Sequence, residues 1–229
     1  LVSTRSNKIA LFPARSAFNY VIAAVEINGK TLLMDATTKW AVPNILPVRA
    51  VNWNGRLIRK DGTSAEIPLT PQGLSREIVS MSATLDKEGK VTGKARDTYF
   101  DYNAFLFREN YNGLSQESYL EKLETGYKGM EISNYKLSND KDLSKPVVED
   151  YDFTNNNVAD IIGDKMYINP MLFLAKAENP FKQEKREYPI DFVFPHQDKY
   201  TIGINLPEGY VLESLPQPVS LTMEDNMGS

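Results

Sequence analysis

Apolar and polar residues alternate with a period of two along much of this chain, first at Tyr20 to Ile27 (YVIAAVEI) and Lys30 to Thr37 (KTLLMDAT). Asn28-Gly29 between them is the strongest short hairpin signal, because the tight turn that matches strand twist needs positive φ at both central residues. A two-residue loop sets Ile27 opposite Lys30, Ile22 opposite Asp35 and Tyr20 opposite Thr37. One face of this hairpin then carries Val21, Ala23, Val25, Ile27, Leu32, Met34 and Ala36, the expected core side. The other carries Tyr20, Ile22, Ala24, Glu26, Thr31, Leu33, Asp35 and Thr37 and is mixed.

From Trp40 to Pro71 the chain is rich in Pro, Asn and Gly, which predicts a crossing segment with short strands and a soft domain boundary near residue 60. Ser75 to Leu85 and Lys90 to Phe107 read as long strands joined by Asp86-Lys87-Glu88-Gly89, a turn with glycine last. One helix is expected to start at Leu114-Ser115, with Ser118 and Glu121 at capping-box spacing. Tyr119, Leu120, Leu123 and Tyr127 form its apolar stripe, and Gly126 ends it. A helix of about three turns is marginal alone in water, so it must dock on the sheet. Further strands are predicted near Glu131–Leu137, Val147–Phe153, Lys165–Ile168, Tyr188–Phe194, Tyr200–Leu206 and Tyr210–Leu215. The pattern specifies a mainly β chain, α+β overall, built as an antiparallel β-sandwich with one short helix.

Composition narrows the chemistry more than it names it. Lys, Arg, Asp and Glu are mixed along the chain with a net charge of −4, so no basic stripe exists to neutralise phosphates and nucleic acid is not an expected partner. No apolar run approaches the length of a membrane span. Cysteine is absent, which removes disulfides, thiolate nucleophiles and Cys-based metal sites from this chain. Leu1-Val2-Ser3-Thr4-Arg5 reads as the middle of a longer chain, and the stretch ending at Ser229 reads as a cut after a strand. No cofactor or metal motif is found.

The remaining polar clusters read as structural. His196, the lone histidine, sits in Phe194-Pro195-His196-Gln197-Asp198 and is expected in a turn. Asp140-Lys141-Asp142 and Glu149-Asp150-Tyr151-Asp152 lack the residue order of a calcium loop and are expected in solvated loops. Around Phe181 to Arg186 the charges largely cancel, and Asn179-Pro180-Phe181 is expected to be a turn with a buried aromatic.

The hairpin carries a sharper signal. Phe18-Asn19-Tyr20-Val21 followed by Leu33-Met34-Asp35-Ala36-Thr37 resembles the second half of a transglutaminase-like core, in which "F-N-H-V" precedes "L-D-A-T". In that superfamily a Cys on a preceding helix is the nucleophile, a His on one strand is its base, and an Asp on the next strand orients the His. The resemblance places Tyr20 at the His position and Asp35 at the Asp position, and puts the Cys upstream of Leu1. It divides the chain into the tail of that core over 1–60 and an antiparallel β-sandwich domain over 61–229. Hairpin register independently makes Tyr20 and Asp35 diagonal neighbours on one face, roughly 5–8 Å apart at the backbone.

Tyrosine in place of histidine changes the expected chemistry. Imidazole accepts a proton near neutral pH, whereas a phenol is already protonated there. The resemblance therefore implies a non-catalytic scaffold or interaction module of the bacterial cell envelope, periplasmic or cell-surface, with a protein or glycan partner. The alternative is a fragment of a cysteine protease or transglutaminase-like amidase whose nucleophile lies upstream. A carbohydrate-binding sandwich is a third reading, suggested by the 12 Tyr, 10 Phe and 2 Trp.

Overall fold

The computed structural model describes all residues except 8–11, 13, 112, 128, 157, 177, 180, 181, 186, 188, 189 and 224–229. Two short antiparallel hairpins come first: β1 (Ala23–Ile27) with β2 (Lys30–Met34), and β3 (Asn54–Ile58) with β4 (Ser64–Pro68). Then follow β5 (Ser75–Leu85), β6 (Val91–Tyr99), α1 (Asp101–Tyr111), α2 (Gln116–Gly126), β7 (Met130–Ser138) and β8 (Val147–Asn155). A third hairpin, β9 (Ala159–Ile162) with β10 (Lys165–Ile168), precedes the last strand, β11 (His196–Asn205).

The chain is mainly β, as its alternation predicts. Its largest sheet has the order β11-β5-β6-β8-β7. Neighbours in this sheet are antiparallel except β11, which runs parallel to β5 with His196 opposite Ser75. Strict alternation along β5 and β8 sorts the faces: Val79, Met81, Ala83 and Leu85, with Tyr151 and Phe153, point to one buried side. Leu123 from α2, Tyr127 just after it, Met166 and Ile168 from β10, and the Leu172–Leu174 turn cover that side. The two-stranded hairpin β9–β10 thus stands, beside α2, where a sandwich would place its second sheet. The opposite face is polar and carries the ion pairs Lys94–Asp152 at 2.8 Å and Arg96–Asp150 at 2.6 Å. Exposed pairs of this kind add little stability.

A second apolar cluster holds the N-terminal third: Val2, Trp40, Leu46, Ala50, Val51 and Leu69, joined by Tyr102 and Phe105 of α1. Phe194 stacks on Tyr102 with ring centroids 4.7 Å apart, tying the approach to β11 to this cluster. The β3–β4 hairpin spans residue 60, so chain pairing is continuous across the expected boundary.

Several expectations are corrected by tertiary context. The strand expected over Lys90–Phe107 stops at Tyr99, and α1 begins after Phe100, with Asp101 at φ +49 marking the change of direction. Tyr102, Phe105 and Leu106 stand at helical spacing on the side that faces the second cluster. Two helices therefore replace one. In α2 the N-cap is Ser115, whose Oγ accepts from the Ser118 amide at 3.1 Å, so Ser118 lies inside the first turn.

The hairpin faces also sort differently from expectation. Val21 is 68% exposed and Ile27 49%, while Tyr20, Ile22 and Leu33 pack against the second cluster. His196 opens β11 instead of sitting in a turn between strands. Ile190 to Phe194 and Tyr210 to Leu215 join no ladder, and Tyr188 and Pro189 lie outside the described residues. Val193 has φ +71, with the Phe194 amide bonded to the Phe192 carbonyl at 2.8 Å, so a tight three-residue turn replaces the expected strand there. The charged run Glu149 to Asp152 lies on β8, not in a loop. Of the tripeptide Asn179-Pro180-Phe181, Pro180 and Phe181 lie outside the described residues.

Candidate functional site

Tyr20 and Asp35 meet, as hairpin register requires. Ile27 pairs with Lys30 and Ala23 with Met34, so Asp35 lies one residue and Tyr20 three residues past the paired strands, on a common face. Val2 anchors this end, its amide donating to the Tyr20 carbonyl at 2.8 Å. The Tyr20 hydroxyl donates to Asp35 Oδ2 at 2.7 Å. Asp35 Oδ1 accepts from the Thr37 hydroxyl at 2.6 Å and the Thr37 amide at 2.8 Å.

The fourth member is Arg49, on a 3-10 turn (Val48–Ala50). Its Nη2 donates to Tyr20 Oη at 2.8 Å and to Thr37 Oγ1 at 2.5 Å, and its guanidinium lies 5.1 Å from the Tyr20 ring centre. Protons run one way through this network: guanidinium to two hydroxyls, and both hydroxyls to one carboxylate. Burial pushes the Asp35 carboxyl up, but the Thr37 hydroxyl, Tyr20, the Thr37 amide and the Arg49 charge together hold it below its usual range. A carboxylate so satisfied is a weak base. Chemically the cluster is a closed hydrogen-bond unit.

Thr37 is adjacent to the residues found by sequence, and its Asp-x-Thr spacing is a recognisable local capping pattern. Arg49 has no such signal, because it is brought in by the fold of the intervening segment. Removing the acceptor strands two hydroxyls and one amide. We expect Asp35→Ala to cost about 2 kcal/mol, the scale of hydrogen bonds to a charged group, read as a lower urea midpoint with unchanged slope.

Other predicted groups lie elsewhere. The His196 ring neighbours Phe192 at 5.7 Å on the far edge of the large sheet. In the Asp140–Asp142 loop the backbone carbonyls of Asn139, Asp140, Asp142 and Lys145 all converge on the Arg108 guanidinium at 2.9–3.1 Å. Asp142 itself accepts from the Ser144 amide and hydroxyl. These loop carbonyls are thus bonded to an internal cation of the protein. Among the described residues no group of three or more His, Asp or Glu side chains is arranged to hold a metal. Several aromatic rings pack on one another around Phe107, which contacts Tyr99, Tyr111 and Tyr119, and serve as core there and not as a ligand platform.

The comparisons with known proteins touch only the C-terminal part. Residues 164–229 are similar to a domain of unknown function. The matching family model is DUF3858, described as a domain of unknown function with solved-structure structure. The match takes in β10, β11 and the residues that follow, and leaves Tyr20, Asp35, Thr37 and Arg49 outside. No curated protein and no solved structure matches the chain.

Proposed function

We propose that this chain is a non-catalytic scaffold or interaction module, transglutaminase-like over its first sixty residues, that works in the bacterial cell envelope with a protein or glycan partner. The observation that carries this reading is the saturation of Asp35 by Tyr20 and Thr37, with Arg49 behind them. In a working Cys–His–Asp arrangement the carboxylate orients an imidazole that then accepts a thiol proton. Here the group bonded to the carboxylate is a phenol, and the chain contains no cysteine.

Tyr20→His tests this directly. The imidazole is expected to find Asp35 yet yield no hydrolysis or transamidation of peptide or glutamine amide substrates above the buffer rate. A clear gain of amidase or transamidase activity would overturn the scaffold reading. The enzyme reading keeps one observation in its favour: Tyr20 and Asp35 preserve the geometry of an orienting pair. It requires a cysteine upstream of Leu1. Thiol labelling of the native full-length protein with an alkylating probe separates the two. A single fast-reacting cysteine supports the enzyme, and uniform slow labelling or none supports the scaffold.

A further inference from the structure

Three acidic side chains lie together inside the large sheet, on three adjacent strands. Asp97 on β6 stands directly opposite Glu149 on β8, and Glu77 on β5 lies one step diagonal to Asp97, whose β5 partner is Val79. Glu149 is 1% exposed and Asp97 8%, while Glu77 is half-buried. Side chains directly opposite in an antiparallel pair lie close together, and like charges there repel.

The hydrogen bonds differ between the two buried carboxyls. Glu149 Oε2 accepts from the Tyr99 hydroxyl at 2.8 Å and Oε1 from the Tyr135 hydroxyl at 2.6 Å, with Tyr119 also donating to it. Burial holds the Glu149 carboxyl above its ordinary range, but donors on both oxygens pull it back down, so of the two buried carboxyls it is the better served as an anion. Asp97 has one weak bond, from the Tyr151 hydroxyl to Oδ2 at 3.3 Å, and its Oδ1 is buried with no partner. A bare anionic oxygen in such a place costs far more than a neutral hydroxyl.

Around Asp97 itself the described groups are phenols and acids. Tyr119 faces the cluster from α2, Tyr127 from the C-cap of that helix, Tyr135 from β7, Tyr151 from β8, and Tyr200 and Asp198 from β11. Lys176 and His196 act on Glu77 at the rim. Among the described residues, no basic group figures in the field at Asp97.

We propose that the folded sheet keeps one proton on Asp97 up to neutral pH, with Glu149 as its ionised partner, so that folding takes up a proton and raising the pH from acid to neutral weakens the sheet. This reading is independent of the scaffold proposal. Burial, with the charges of Glu149 and Glu77, pushes the Asp97 carboxyl up to about 7, against the lowering pull of Tyr151. The sign follows from linkage. Below the unfolded value near 4, both states hold the proton and the sheet has its full stability. Between about 4 and 7 only the folded state holds it, so stability falls as pH rises, and above 7 it levels off.

The effect across that window is about a thousandfold in the folded-to-unfolded ratio for this one group. The test is urea unfolding of the wild type and of Asp97→Asn and His196→Gln at pH 5 to 8. The wild type and His196→Gln are expected to lose stability as pH rises. Asp97→Asn, neutral at every pH, should be flatter and more stable than the wild type at pH 8. Should Asp97→Asn fail to fold, the carboxyl 13C shift of Asp97 in the wild-type protein decides. A titration near pH 7, moving lower in Glu149→Gln, supports the proposal. Titration in the ordinary carboxylate range, or equal pH dependence in wild type and Asp97→Asn, overturns it.

Discussion

Replacing Arg108 by methionine is expected to destabilise the protein by about 3 kcal/mol, the upper scale of hydrogen bonds to a charged group and of leaving buried acceptors unpaired. Arg108 is 5% exposed, and its Nε and Nη2 donate to four backbone carbonyls between Asn139 and Lys145. That stretch connects β7 to β8, and it has no ladder of its own. Methionine fills the volume of the stem but donates nothing, so the loop must either keep buried carbonyls unpaired or open to water. Arg108→Lys should recover only part of the loss, because one ammonium cannot reach a set of carbonyls spread along the loop as a planar fork does. Chemical denaturation reads the change as a lower midpoint. Amide exchange should quicken first at 139–145, since this is where the lost donors acted. Loss below 1 kcal/mol would mean that the loop holds its shape without the guanidinium.

Gly93→Ala is expected to cost about 3 kcal/mol, at the upper end of overpacking penalties, and Gly93→Val to prevent stable folding. A Cβ on Gly93 would lie 2.4 Å from the Ser82 carbonyl oxygen and 2.7–2.8 Å from the Phe153 ring. Phe153 stands directly opposite Gly93 in the β6–β8 register, and Ala83 opposite it on β5, so the glycine sits mid-sheet with an aromatic ring lying across it. Ring and methyl cannot share that space. The second variant Gly93→Ala with Phe153→Leu separates the two clashes. Shrinking the ring relieves one, while the Ser82 carbonyl is backbone and cannot retreat without breaking β5 pairing. Recovery should therefore be partial, and full recovery would place the whole penalty on the ring.

Both effects rest on contacts far apart in sequence, and that is where reading the chain alone falls short. Asn28-Gly29 with its flanking strands specified hairpin register, and register alone brought Tyr20 to Asp35, because a two-residue turn leaves no freedom in the pairing. Ser75–Leu85 and Lys165–Ile168 were legible end to end, and so was the close of α2 at Gly126, because alternation, spacing and glycine act locally. The Asp86–Gly89 turn was legible for the same reason, with Gly89 at φ +83.

Which hairpin face is buried was not legible. Both faces carry enough apolar residues to serve, and the choice fell to Val2, Trp40, Leu46 and Val51, which offer their surface to Tyr20, Ile22 and Leu33. Residues 101–107 read as strand because aromatic residues suit strands, yet Tyr102 and Phe105 are needed on one side, which only a helix provides.

The sequence by itself determined the β-rich character, the hairpin and its Tyr20–Asp35 pair, the strand cores and one helix, all set by local patterning or by the register that a two-residue turn imposes. Tertiary structure alone decided that β11 joins β5 in parallel, that Arg49 completes the Tyr20 cluster, and that Asp97 faces Glu149 within the core. Those pairings join segments from 29 to 121 residues apart, as Arg49–Tyr20 and Asn205–Thr84 show. Burial of whole apolar faces selects them, and no local pattern encodes that choice.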